Sequence, residues 1–87
     1  MLTLIDFYAE WCGPCHAIKP VIESVMKDYV EKVELKEIDV DKNPSDAQKY
    51  GVMSIPTLVL LKEGKEVDRK VGLLSEEALK SWLDENL

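Results

Sequence analysis

Between Leu2 and Tyr8 the chain is apolar at nearly every position, the pattern of a strand buried on both faces. Alternation places Leu2, Leu4, Asp6 and Tyr8 on one face and Thr3, Ile5 and Phe7 on the other. Near Gly13 the period lengthens to that of a helix. As far as Val30, an apolar stripe of Ile18, Val21, Ile22, Val25, Met26 and Tyr29 opposes Lys19, Glu23, Lys27 and Asp28. Pro20 falls inside this helix and predicts a kink there, because it removes one backbone donor and crowds the carbonyl of His16.

Val33 to Val40 reads as a second strand, and its charges at Glu34, Lys36, Glu37 and Asp39 suit a sheet edge. Asn43-Pro44 has the form of an N-cap followed by proline in the first helical turn, and a short helix to Tyr50 is closed by Gly51 in the left-handed position. Thr57 to Leu61 is a fully apolar strand. After a Glu63-Gly64 turn, Glu66 to Val71 returns with Val67, Arg69 and Val71 alternating against charged neighbours. Ser75 caps a last helix, with Glu76 and Glu77 in its positive first turn and Ala78, Leu79, Trp82 and Leu83 as its apolar stripe. The order β-α-β-α-β-β-α belongs to the α/β class. It implies a right-handed parallel β-α-β unit followed by a hairpin.

Composition narrows the function classes. Eighty-seven residues, 46% apolar and 32% charged, make one soluble globular domain over 1–87. Seventeen acidic residues against 11 basic ones give a net charge of −6, which argues against nucleic acid and anionic membranes as partners. No apolar run approaches the ~20 residues of a membrane span. Met1 leads directly into the first strand without the regions of a signal peptide, so the expected compartment is the cytoplasm.

Only two cysteines are present, Cys12 and Cys15. A bridge between positions three apart closes a tiny loop and is a poor structural staple, so their closeness calls for a chemical reason. Trp11-Cys12-Gly13-Pro14-Cys15 lies where the first strand turns into the first helix. Across one helical turn the two Cα atoms stand roughly 5 Å apart, within the range a disulfide needs. The unpaired N–H groups and partial positive charge of a helix N-terminus stabilise a thiolate at Cys12, while Cys15, one turn inside, keeps its proton. Cys15 also stands at high effective concentration beside any mixed disulfide formed at Cys12. Two other chemistries share these residues. Cys12-Gly13-Pro14-Cys15-His16 matches the C-x-x-C-H pattern of haem attachment, but haem needs an export route and a pocket. Cys12, Cys15 and His16 offer zinc three ligands at most, where a structural site takes four.

Asp6-Phe7-Tyr8-Ala9-Glu10-Trp11-Cys12-Gly13-Pro14-Cys15, then Asp41-Lys42-Asn43-Pro44, Tyr50-Gly51-Val52, Ile55-Pro56-Thr57 and Val71-Gly72 resemble the thioredoxin family, in order and at similar spacing. The resemblance spans nearly the whole chain and rests on the specific W-C-G-P-C motif. It implies a minimal thioredoxin fold, a four-stranded mixed sheet in the order second, first, third, fourth strand flanked by three helices. The helix over 44–50 is expected on the face opposite the first. The implied activity is reduction of protein disulfides by dithiol exchange. Cys12 attacks, a mixed disulfide forms, and Cys15 resolves it. No cofactor is bound in such a scheme beyond the redox-active Cys12–Cys15 pair. A partner reductase, in the family a flavin enzyme drawing on NADPH, restores the dithiol. Partners are then a thioredoxin reductase or equivalent and disulfide-containing protein substrates, and the chain is a monomer.

The resemblance also assigns supporting residues. Asp6 points toward a core, where desolvation raises its pKa, and takes the Cys15 proton directly or through water. Pro56 corresponds to a cis-proline facing the disulfide, and the Ile55 backbone beside it pairs with an extended substrate segment. Trp11, Gly13, Pro14, Ile55 and Gly72 form an apolar docking rim. On the residues alone, Asp6 reads as well as a solvated aspartate near a strand end, Pro56 as a trans proline opening a strand, Trp11 as core and Gly72 as a turn. His16 is a partly exposed neighbour of the dithiol. Trp82, Met26 and Met53 read as packing. Gly13-Pro14 between the cysteines points to the reducing branch. A glutathione-dependent, glutaredoxin-like reductase and a scaffold subunit without redox turnover remain as alternatives. The chain is shorter than a typical family member by a first strand and helix, which is expected to leave Val33 to Val40 at the sheet edge.

Overall fold

Each apolar run becomes the element its period predicts. The computed structural model describes residues 1–87, with β1 (Leu2–Tyr8), α1 (Gly13–Met26), β2 (Val33–Asp39), α2 (Pro44–Lys49), β3 (Thr57–Lys62), β4 (Lys65–Val71) and α3 (Glu76–Asn86) in chain order. The four strands form one mixed sheet in the order β2-β1-β3-β4. β1 pairs in parallel with β2, from Leu2 opposite Val33 to Tyr8 opposite Asp39, and antiparallel with β3, from Leu2 opposite Lys62 to Phe7 opposite Thr57. With a neighbour on each side and packing above and below, β1 has no wet face, which is why its sequence shows almost no polar alternation. Charged β2 is an edge strand.

The alternation within β1 separates two cores. Leu2 and Leu4 join Leu58 and Leu60 of β3 under Ile18, Ile22 and Val25 of α1 and Leu79, Trp82 and Leu83 of α3. Helices α1 and α3 therefore cover one face together. Ile5 and Phe7 join Val59 and Leu61 on the other face, beneath Ile38, Val40, Tyr50, Val52 and Ile55. The segment through α2 thus lies opposite α1. No helix of the protein is long and apolar enough to cross a membrane.

Three local expectations are corrected. Helix α1 ends at Met26, not Val30: Asp28 and Tyr29 donate to carbonyls three residues back, and the Tyr29 carbonyl accepts from Lys32 and Val33 as the chain turns into β2. The stripe outlasts the helix because this tightened turn keeps Tyr29 on the buried face, where its hydroxyl donates to Asp84 of α3 at 2.8 Å. Pro20 sits at an exposed position within α1 without ending it. Asn43 occupies the N-cap of α2, but its side chain makes no capping bond and donates instead to the Asp39 carbonyl. In β4, a register shift opposite Leu60 and Leu61 takes Val67 out of the ladder, and both Val67 and Val71 are exposed. Their alternation marks an open edge strand, with Arg69 alone reaching inward to the Tyr50 carbonyl at 2.7 Å.

The punctuation residues behave as their chemistry requires. Gly51 has φ +63°, and the bonds Val52 N–H to Ala47 and Gly51 N–H to Gln48 close α2 in a Schellman motif. Glu63 and Gly64, both at positive φ, form the two-residue turn between β3 and β4. The Ser75 hydroxyl accepts from the Ala78 N–H and starts α3.

Candidate active site

The site is built at the end of β1. Ala9, fully buried just past the strand, accepts the Cys12 N–H at 3.1 Å and bends the chain into α1. Cys12 is the N-cap of that helix, in extended backbone conformation, and its sulfur accepts the Cys15 N–H at 3.2 Å. A sulfur therefore fills the capping position usually taken by a side-chain oxygen, where the helix dipole favours negative charge. Pro14 lies in the first turn, where its missing N–H has no helical acceptor to lose. One helical turn brings the two cysteine Cα atoms to 5.2 Å, and they are joined by a disulfide.

Both cysteines are buried, but they open in different directions. Cys12 lines a groove of about 480 Å³ with Trp11, Gly13, Pro14, Val40, Ala47, Val52, Met53, Ser54 and Ile55. Cys15 lines a small polar cleft of about 50 Å³ on the other side, with Asp6, Tyr8, Glu10, His16, Lys19 and Glu37. The groove is mostly hydrophobic, while the cleft carries five ionisable side chains besides Cys15 and Tyr8. The two cysteines of one disulfide thus line two unlike environments.

The groove wall opposite the cysteines is the loop between α2 and β3. The Ile55–Pro56 peptide bond is cis, and the Ile55 carbonyl lies 4.0 Å from Cys12 Sγ. Thr57 Oγ1 donates to the Ser54 carbonyl at 2.5 Å, and the Gly72 N–H donates to the Pro56 carbonyl at 2.9 Å. Gly72, at φ +94°, thus holds Pro56 from behind rather than lining the groove, and Pro56 is itself buried. The structure brings Trp11, Gly13, Pro14 and Ile55 together around Cys12 and sets Pro56 and Gly72 behind them.

Trp11 is 72% exposed, so it is a surface residue and not core. Its ring is fixed by the indole N–H donating to Asp41 Oδ2 at 2.7 Å. Asp41 was missed as a functional position, although it opens the Asp-Lys-Asn-Pro segment that marks the resemblance. Met53 corrects its reading as packing: it is 97% exposed on the groove rim, because Val52 and Ile55 on either side supply the loop's buried contacts. Trp82 is buried in the helical core, its indole N–H donating to Asp68. His16 is exposed, with Nε2 2.6 Å from the Glu10 carbonyl. No three His, Cys, Asp or Glu side chains converge as metal ligands.

Asp6 is 3% exposed, and its Oδ1 has no hydrogen-bond partner. Burial is the main reason its pKa is pushed up to about 6. Glu37 adds to the rise and Lys19 opposes it. A carboxyl in this state gains and loses its proton near neutral pH, and it does so on the wall of the cleft that Cys15 lines.

Comparison with known proteins agrees with this geometry. The Thioredoxin family model matches residues 1–85. Thioredoxins from Staphylococcus aureus strains Mu50 and MW2 are each 51% identical over 86 residues, covering 99% of this chain and 83% of theirs. The solved structure of a mutant thioredoxin from Halobacterium salinarum NRC-1 superposes with a TM-score of 0.89 at 43% identity, covering 97% of this chain and 73% of that one. The sheet order, the three helices and the Cys12–Cys15 pair are accordingly those of a minimal thioredoxin fold carrying a redox-active disulfide. The chain belongs to the thioredoxin family and is a thiol–disulfide oxidoreductase that reduces protein disulfides.

Proposed function

We propose that the two cysteines divide the reaction as their surroundings do. Cys12 thiolate attacks one sulfur of a substrate disulfide docked in the groove. A Cys12–substrate mixed disulfide forms and the other substrate sulfur leaves as a thiolate. Asp6 then accepts the Cys15 proton, directly or across the cleft, which is roomy enough for a water molecule. The Cys15 thiolate attacks Cys12 Sγ, the second substrate thiolate leaves, and Cys12–Cys15 closes. Two electrons pass to the substrate, and its two thiolates take up protons as their pKa values require.

The observation that carries this reading is the asymmetry of the disulfide: Cys12 opens on an apolar groove, Cys15 on a polar cleft with a buried, unpartnered carboxyl. Trp11, Gly13, Pro14 and Ile55 receive the substrate segment, whose backbone pairs at Ile55 beside Pro56, and Gly72 supports that edge from behind. The 87 residues work as one domain and as a monomer. The protein is a cytoplasmic electron carrier. A thioredoxin reductase drawing on NADPH returns the dithiol.

Turnover of an insulin-type disulfide with dithiothreitol tests the division of roles. Cys12→Ser is expected to abolish reduction, and Cys15→Ser to accumulate a mixed disulfide visible by mass. Full activity in Cys12→Ser, or trapping through Cys15 in its place, overturns the assignment. Recharging with thioredoxin reductase and NADPH, set beside recharging with glutathione, decides the electron source. Faster turnover with glutathione rejects the proposed partner.

A further inference from the structure

The cleft behind Cys15 holds charges that the dithiol chemistry has not used. Asp6 and Glu37 are direct partners in the parallel β1–β2 ladder, so their side chains leave the same face of the sheet about 5 Å apart. Lys19 enters from above, on α1, one turn beyond Cys15. Tyr8 and Glu10 close the β1 end of the cleft, and His16 the helix end, with its ring turned to the Glu10 carbonyl. Within this set only Asp6 and Cys15 are buried. Glu37 and Lys19 are exposed and form no salt bridge with each other or with Asp6.

Two opposite charges therefore face one buried, unpartnered carboxyl from two different elements. An anion beside a carboxyl favours its protonated form and a cation its ionised form. Neither residue lines the groove that Cys12 opens on; both line the cleft that Asp6 shares with Cys15, where Asp6 is the buried carboxyl their charges face. We propose that Glu37 and Lys19 are positioning residues for electron transfer, opposed charges that fix the pH range over which Asp6 accepts the Cys15 proton. Glu37 holds the proton on Asp6 and delays resolution of the mixed disulfide to higher pH. Lys19 releases it and brings resolution to lower pH. This rests on the proposed role of Asp6 as proton acceptor.

The direction of each effect on Asp6 in the oxidised protein, upward for Glu37 and downward for Lys19, agrees with that geometry. Because both charges are exposed, their influence is screened by salt, and their neutral variants leave the core packing intact.

The test follows the Asp6 carboxyl and the resolving step separately. In the full-length oxidised protein, carbon NMR reads the Asp6 titration directly. Rapid-mixing kinetics from pH 5 to 9 read release of substrate from a preformed Cys12 mixed disulfide. Glu37→Gln is expected to move both midpoints down, and Lys19→Gln to move both up, by about half a unit each. At a pH below the midpoint that is about a threefold change in ionised Asp6. Glu37→Asp restores the wild-type direction, and raising the salt concentration shrinks both displacements. In an Asp6→Asn background neither substitution alters the kinetic profile. Unmoved midpoints in both single variants, with the Asp6→Asn profile flat, overturn the inference while leaving Asp6 its role. A wild-type profile in Asp6→Asn overturns the role of Asp6 itself. A Glu37→Gln effect that persists in Asp6→Asn also overturns the inference, since Glu37 then acts without Asp6.

Discussion

Asp6 is the residue at which stability and chemistry conflict. Its carboxyl titrates near 6 in the folded protein against 3.8 as its ordinary value. The native state therefore binds the proton more tightly than the unfolded chain, and stability falls as pH rises between those values. The contribution is fully present below about pH 3.8 and is lost once the pH passes about 6. A difference of about two units corresponds to at most about 3 kcal/mol. Asp6→Asn keeps the shape and removes the charge. It should stabilise the oxidised protein by about 1–3 kcal/mol at pH 8, where Asp6 is ionised, and by little at pH 4. Urea unfolding of both proteins at the two pH values measures this, and an equal wild-type-to-variant difference at both would contradict it.

At the scale of elements, the ends decide more than the middles. Helix α2 has only six residues and buries none of them. It is held by Pro44 at its start and by the Schellman bonds around Gly51 at its end. A Cβ added at Gly51 meets open space, so the backbone at φ +63° is the sole obstacle. Gly51→Ala is expected to cost about 1–2 kcal/mol, read as a lower denaturation midpoint with unchanged slope. A loss within 0.3 kcal/mol would show that the loop adopts another conformation at no cost. Helix α1 has the opposite character. Its middle is anchored by Ile18, Ile22 and Val25, and its trailing turn by the Tyr29–Asp84 bond to α3. Its N-terminus carries the cysteines.

Across the whole molecule, the margin is small. A chain of 87 residues typically has about 4–13 kcal/mol of stability, and its larger core gathers under α1 and α3 around β1 and β3. Leu58 is fully buried there. Leu58→Ala should cost about 2–5 kcal/mol, a large share of the total, and should lower the thermal midpoint by about 8 °C or more for a domain of this size, at roughly 4–8 °C per kcal/mol. A fall of less than 4 °C would mean that the helices collapse onto the gap. The second, smaller core beneath Tyr50, Val52 and Ile55 carries the groove wall, so a change in the α1–α3 core should reduce stability before it reduces substrate docking.

The seven elements, their order and the W-C-G-P-C turn were readable in the sequence, because period, capping residues and the i, i+3 spacing of Cys12 and Cys15 are local properties. The face separation of β1 was readable too, since alternation alone divides Leu2 and Leu4 from Ile5 and Phe7. Where α1 stops was not, because Tyr29 stays on the stripe after the helical bonds have tightened. Nor was the exposure of Met53 and of Val67, since an apolar side chain is buried only if another element arrives to cover it, and none does. The Asp41 anchor for Trp11 joins residues 30 apart, and the meeting of Glu37 with Asp6 depends on strand register. Local chemistry determined which residues react. Only the packing of β1 between its neighbours and under α1 decided that the two cysteines line different surroundings, Cys12 an apolar groove and Cys15 a charged cleft.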